Sequence, residues 1–151
     1  MGEADVPKRG DFWFFWPTRV RYSEIDAQGV VFNAHYLTYF DTAITDYLRA
    51  LPYQYGLGGD TAAGTDFHLV KATVEYRAPI RFDQEIEVGV RTGKLGRTSI
   101  AFALAIFPRG GGALLSTGEI IWVNTDLAAH KSAPLPEALI AAVKKREAVP
   151  A

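Results

Sequence analysis

Residues 19–50 read RVRYSEIDAQGVVFNAHYLTYFDTAITDYLRA, and this stretch decides the fold. Tyr36, Leu37, Phe40, Ala43, Ile44, Tyr47, Leu48 and Leu51 recur at steps of one and three, the period of an α-helix. Asn33 stands where an N-cap is wanted, and Pro52 ends the pattern. The apolar stripe is too wide and too aromatic for a surface helix, so a sheet is expected to wrap around it. Just upstream, Asp26 and Gly29 take the first and fourth positions of a turn. Before that, Phe12 to Tyr22 is rich in aromatic and β-branched residues but contains Pro17, which predicts a broken or edge strand.

Beyond the helix, residues 56–65 hold four glycines and read as a loop. Strands then follow. They are Phe67 to Tyr76, the alternating Ile86, Val88 and Val90, the alternating Ile100, Phe102, Leu104 and Ile106, and Leu115 to Val123. Lys94-Leu95-Gly96-Arg97 and the glycines at 110–112 are the expected turns, which suit antiparallel hairpins. Pro136 to Lys145 predicts a short closing helix with Pro136 in its first turn. One long apolar helix packed on five antiparallel strands makes an α+β domain. The expected domain covers residues 11–147, behind a flexible amino-terminal segment of residues 1–10. A single sheet covers only one of its own sides, so a second protomer is expected.

With 151 residues and 48% apolar side chains, the chain suits one domain with a continuous core. A formal net charge of −1 gives no global basic field for nucleic acid. There are no cysteines, which removes disulfides, thiolate nucleophiles and Cys-based zinc sites. His35, His68 and His130 show no metal-ligand spacing. The apolar run Phe12 to Trp16 is too short for a signal core or a membrane span. A cytoplasmic protein without a membrane segment is the expectation.

The chemistry-bearing feature is Asp26, a carboxylate in a turn a few residues before a buried helix. Free N–H groups at a helix start favour negative charge beside them and can hold an oxyanion. A carboxylate so placed suits hydrolysis, as nucleophile or as general base. The plainer alternative is a turn former. Glu24 is a further carboxylate, sharing one side with Tyr22 and Asp26 if the strand continues, and it reads as a solvated acid at a strand end. Asp41 and Asp46 read as surface or interface acids of the helix. Phe32 and Tyr36 read as core residues able to border a ligand. No Gly-x-Ser-x-Gly elbow and no phosphate-binding Gly-Lys-Ser/Thr loop occurs.

Three blocks resemble the 4-hydroxybenzoyl-CoA thioesterase family of hotdog-fold proteins. YSEIDAQGVVFNAHYLTYFDTA is similar to the family's loop and helix, with an acid before Gly-Val-Val. HLVKATVEYRAPIRFDQEIEV is similar to its long strand ending in an Arg/Pro corner, and LGRTSIAFALAIF to the following hairpin. The resemblance spans roughly residues 17 to 140. It implies a five-stranded antiparallel sheet wrapped around a central helix, and homodimers often paired again into tetramers, with active sites between protomers. It implies an acyl-CoA thioesterase that needs no metal or redox cofactor, coenzyme A being part of the substrate.

By the same resemblance, Asp26 matches the catalytic aspartate. Asn33 and Ala34 match the helix start whose N–H polarises the thioester carbonyl. Phe67, His68 and Val70 of the partner subunit would border the acyl pocket. Arg97 and Lys94, with Thr98 and Ser99, would meet the coenzyme A phosphates. Two departures stand out: Asn33 replaces the His of many relatives, and Glu24-Ile25 replaces the Asp or Asp-Thr found before the catalytic Asp. A non-catalytic acyl-CoA or acyl-group binding protein is the alternative on the same scaffold. A hotdog dehydratase ranks last, because the His it would want falls at Asn33.

Overall fold

The computed structural model describes residues 6–51, 53 and 64–149. Strand β1 (Phe14–Arg19) and helix α1 (His35–Ala50) come first, followed by strands β2 (Thr65–Tyr76), β3 (Glu85–Leu95), β4 (Ser99–Pro108), β5 (Ser116–Asp126) and β6 (Lys131–Ser132) and helix α2 (Glu137–Arg146). The sheet order is β1-β3-β4-β5-β2 with every pairing antiparallel, and the short β6 adds to β5. The expected α+β arrangement of five long strands and one long helix is present. The two-residue β6 is an addition too short for alternation to signal.

Helix α1 packs into the concave side of the sheet. Tyr36, Tyr39, Phe40, Ala43, Ile44, Tyr47 and Leu48 are buried against Ile86, Val88, Val90, Ile100, Phe102, Leu104 and Ile106 of the central strands. The buried face is rotated slightly from the one expected. Leu37 is 40% exposed, whereas Tyr39, absent from the expected stripe, is buried. Tyr39 lies on the core side because its hydroxyl has a buried partner, described below. Helix and sheet approach closely at Gly118 of β5, where a Cβ would overlap the Phe40 ring.

Pro17 sits in edge strand β1, paired only with β3, where its missing N–H costs no ladder bond on the outer side. The turn between β3 and β4 lies two residues later than expected. Lys94 and Leu95 still belong to β3, and the Gly96 N–H donates to Ser99 O at 2.8 Å. A β-bulge between Thr92 and Lys94 lengthens β3 and accounts for the shift. β2 opens at Thr65 just after Gly64, and residues 56–63 of the expected glycine loop, like residues 1–5, lie outside the described residues. Arg9–Asp11 forms a short 3-10 turn, with Arg9 ion-paired to Glu87 and donating to Pro108 O at 2.8 Å. Among the described residues no helix is long and apolar enough to cross a membrane.

β2 is the other edge of the sheet, paired with β5 alone. It is 12 residues long and carries a bulge between Leu69 and Lys71. Leu69 and Val70 are 59% and 57% exposed there. An edge this long, with apolar side chains facing out, invites a further strand.

Candidate active site

The loop before α1 is a small hairpin. Ile25 pairs with Val31, the Asp26 N–H donates to Val30 O at 2.9 Å, and the Gly29 N–H donates to Asp26 O at 3.0 Å. Gly29 closes this turn with φ of 77°, a conformation glycine adopts without steric cost. Val31 donates to Ile80 O and Phe82 to Gly29 O, which fasten the second limb to the chain entering β3. Asp26 Oδ1 accepts the Gln28 N–H at 2.8 Å. Asp26 is therefore the turn former that spacing alone suggests. That role uses one carboxylate oxygen, and Oδ2 has no hydrogen-bond partner among the described residues.

Glu24 is not the solvated acid expected. Tyr22–Glu24 is a 3-10 turn and not a continuing strand, so Tyr22 points outward while Glu24 is buried. Its Oε1 accepts the Arg21 N–H and the Tyr39 hydroxyl, each at 2.8 Å, and its Oε2 accepts Arg21 Nε at 3.0 Å and Nη2 at 2.7 Å. Burial by itself would raise its pKa. The donors from Arg21 and Tyr39 outweigh burial, and the carboxyl is held below the usual range. The Glu24 backbone carbonyl accepts the Phe32 N–H at 2.9 Å, so one residue ties both limbs of the loop to the helix.

The helix start differs from expectation in its cap. Ala34 is the capping residue, in helical conformation, and the Asn33 side chain makes no capping bond. A backbone turn takes over: the His35 N–H donates to Phe32 O at 2.9 Å and the Tyr36 N–H to Asn33 O at 3.3 Å. Asn33 and Ala34 are the central residues of that first turn, and their N–H groups have no acceptor among the described residues. Phe32 is half exposed and lies edge-on to His35, so it is not the core residue expected, whereas Tyr36 is buried. Asn33, Tyr36, Val30 and Val31 line one wall of a cavity of about 280 Å³, and Tyr76, Arg77, Ala78 and Pro79 line the other.

A second cavity, of about 350 Å³, opens beside the first turns of α1. Leu37, Thr38, Asp41 and Ile44 of the helix face Leu69, Ile120 and Trp122 of the sheet across it. Its walls are apolar apart from Asp41 and Thr38, which suits a hydrophobic acyl group.

The remaining candidates lie elsewhere. Phe67 packs on Trp122 and is half-buried, while His68 is exposed and opposite Val123. Ser99 pairs with Val123 as well, so Arg97, Thr98 and Ser99 share that end of the sheet. Tyr76 and the helix start are at the other end. At about 3.3 Å per residue, the ends of the 12-residue β2 are roughly 35 Å apart. Within one chain, Phe32, Asn33, Ala34 and Tyr36 form the helix start and Asp26 belongs to the hairpin that leads into it, whereas Phe67, His68, Val70, Lys94, Arg97, Thr98 and Ser99 lie on other parts of the sheet. Arg77 is the strand-end cation beside the helix start. No three His, Asp or Glu side chains among the described residues converge as metal ligands.

The sequence profile of the thioesterase-like superfamily matches residues 20–143. The chain belongs to that superfamily. Acyl-CoA thioester hydrolase YbgC of Escherichia coli is 34% identical to it over 133 residues, covering 87% of this chain and 96% of the relative. The PA5185 protein of Pseudomonas aeruginosa superposes with a TM-score of 0.81 at 28% identity, covering 93% of this chain and 95% of that one. A 1,4-dihydroxy-2-naphthoyl-CoA thioesterase from Synechocystis superposes with a TM-score of 0.80 over 88% and 96% of the two chains; at 21% identity this is a likeness of fold. In this thioesterase-like chain the sequence signalled the turn and the helix. It did not signal Glu24 as an anchor or Tyr76 as a lining residue, because both depend on partners far along the chain.

Proposed function

We propose that this protein hydrolyses acyl-CoA thioesters, with Asp26 as nucleophile or general base and the Asn33 and Ala34 N–H groups as oxyanion donors. The observation that supports the reading is a carboxylate fixed in a turn by one oxygen, seven residues before a helix start whose N–H groups have no acceptor among the described residues. In the reaction, an Asp26 oxygen, or a water that gives its proton to Asp26, attacks the thioester carbon. The carbonyl oxygen takes the negative charge and rests on the two N–H groups. Collapse expels the coenzyme A thiolate and leaves the acid, or an acyl–Asp26 anhydride that water then opens. Each such donor is worth about 3 kcal/mol in the barrier.

A homodimer completes the site in this reading. Two β2 edges pairing antiparallel about a twofold axis bring the Thr65 end of one strand beside the Tyr76 end of the other. Phe67, His68 and Val70 of the partner subunit then approach this protomer's helix start. Lys94, Arg97, Thr98 and Ser99 supply cations and hydroxyls for the coenzyme A phosphates from the rim. Pairing of two dimers and a cytoplasmic location accord with the reading.

The test is Asp26→Asn. Asn keeps an oxygen for the Gln28 N–H, so the turn survives and only the charge goes. Turnover of the best acyl-CoA, read as released thiol, is expected to fall by about 100- to 10,000-fold with the melting temperature unchanged. Equal turnover in the Asn variant would falsify the role of Asp26. Multiple turnovers by the parent protein exclude a non-catalytic binding role.

A further inference from the structure

We propose that Tyr76 is a positioning residue for this reaction, holding and polarising the Asn33–Ala34 peptide; the inference rests on the reading above. The Tyr76 hydroxyl donates to Asn33 O at 3.3 Å. That oxygen belongs to the same planar peptide as the Ala34 N–H, and in a trans peptide the two point in opposite directions. Fixing the oxygen on the Tyr76 side therefore aims the Ala34 N–H, which has no acceptor among the described residues, away from Tyr76. The oxygen also accepts the Tyr36 N–H at 3.3 Å, so it is gripped from two sides.

The ring of Tyr76 adds to the grip. It stands edge-on to Tyr36, with centroids 4.7 Å apart and an interplanar angle of 74°, and Tyr36 is itself anchored in the core. Yet Tyr76 is 52% exposed, so the core does not need its hydroxyl. Tyr36, Asn33 and Tyr76 line the same 280 Å³ cavity. Hydrogen bonds in chains polarise one another. When negative charge builds on the thioester oxygen against the Ala34 N–H, the peptide dipole deepens toward Asn33 O, and the Tyr76 hydroxyl stabilises that shift. At 3.3 Å the bond is long, as bonds at reactive centres often are before substrate tightens them. The contribution grows along the reaction, so it affects kcat more than KM.

The experiment is Tyr76→Phe in the full chain, measured beside Asp26→Asn. Phe keeps the ring on Tyr36 and removes only the hydroxyl. We expect kcat to fall about fivefold, which corresponds to about 1 kcal/mol, with KM changed less than about twofold. The melting temperature should hold, and the Ala34 amide nitrogen resonance of the free protein should move upfield as Asn33 O loses a donor. A Tyr76 that only holds the peptide, without a part in the reaction, would move the resonance and leave kcat unchanged. Unchanged kcat in Tyr76→Phe beside a dead Asp26→Asn overturns the inference and leaves the catalytic reading standing. An active Asp26→Asn overturns that reading instead, and the Ala34 resonance then still decides whether Tyr76 holds the peptide. An unmoved resonance overturns the inference in either case.

Discussion

The Tyr39 hydroxyl, on the core face of α1, donates to Glu24 Oε1 at 2.8 Å across the base of the loop that presents Asp26. Two residues beyond Glu24, the chain turns through Asp26; fifteen residues beyond it, Tyr39 is locked in the helix. The bond couples the position of the loop to the position of the helix, and so the carboxylate to the free N–H groups. Arg21 closes the other side of Glu24 with a forked pair of bonds. Burial and the neighbouring carboxylate together push the Tyr39 phenol far above its ordinary range, so it remains a donor throughout the working pH.

Replacing Glu24 by Gln should destabilise the fold by about 2 kcal/mol at neutral pH. Gln can still accept from Tyr39, but its amide nitrogen meets donors from Arg21. Most of the Arg21 side chain is exposed, so solvent screens its share. The sign with pH follows from the folded pKa being lowered. The contribution is complete above the ordinary carboxylate pKa of about 4.3 and is lost as pH falls through the lower folded value. Chemical denaturation of parent and variant should therefore differ at pH 7 and converge in strong acid. A gap that stays constant down to low pH would assign Glu24 no charge-dependent role.

Gly118→Ala tests how the helix sits on the sheet. The added methyl would enter the Phe40 ring, which is wholly buried at the centre of α1. Overpacking of this kind costs about 1–3 kcal/mol. Adding Phe40→Leu should recover part of the loss, a non-additivity expected of touching residues. If Gly118→Ala unfolds at the same urea concentration as the parent, α1 is not seated on β5 as described here.

The helix and four of the long strands were legible because each carries its own period. Ile86, Val88 and Val90 alternate whatever their neighbours do, and the apolar stripe from Tyr36 to Leu51 repeats at helical spacing. What escaped depends on partners distant in sequence. Glu24 looks like any strand-end acid until Arg21 and Tyr39 converge on it. Leu37 and Tyr39 lie on opposite flanks of the apolar stripe, and the bond to Glu24 holds the Tyr39 flank inward. Asn33 has the composition of a cap, but the Phe32–His35 backbone turn does the capping. Asp26 reads in the sequence as turn former and as candidate catalyst; the structure bears out the first, with one carboxylate oxygen holding the turn and the other without a partner among the described residues.

The last prediction concerns residues that one chain keeps apart. The helix start lies near Tyr76, whereas Phe67 and His68 lie at the opposite end of β2. An antiparallel pairing of β2 edges would give each site Asp26 from one protomer and Phe67 and His68 from the other. A Phe67→Ala/His68→Ala double variant should then lose most turnover, as Asp26→Asn does. Co-refolding the two inactive variants in equal amounts makes half of the dimers mixed. Each mixed dimer has one site with both lesions and one with neither. Recovery of about a quarter of the parental turnover is expected, read as released thiol after exchange. Sites built within single chains, or Phe67 and His68 lying outside the site, would give no such recovery. The edge itself can be tested in parallel with Val70→Lys, since a charge at an exposed edge position opposes strand addition. That variant should run as a monomer in light scattering, keep its far-ultraviolet spectrum and lose turnover, because the exposed Val70 does little for the fold of the single chain.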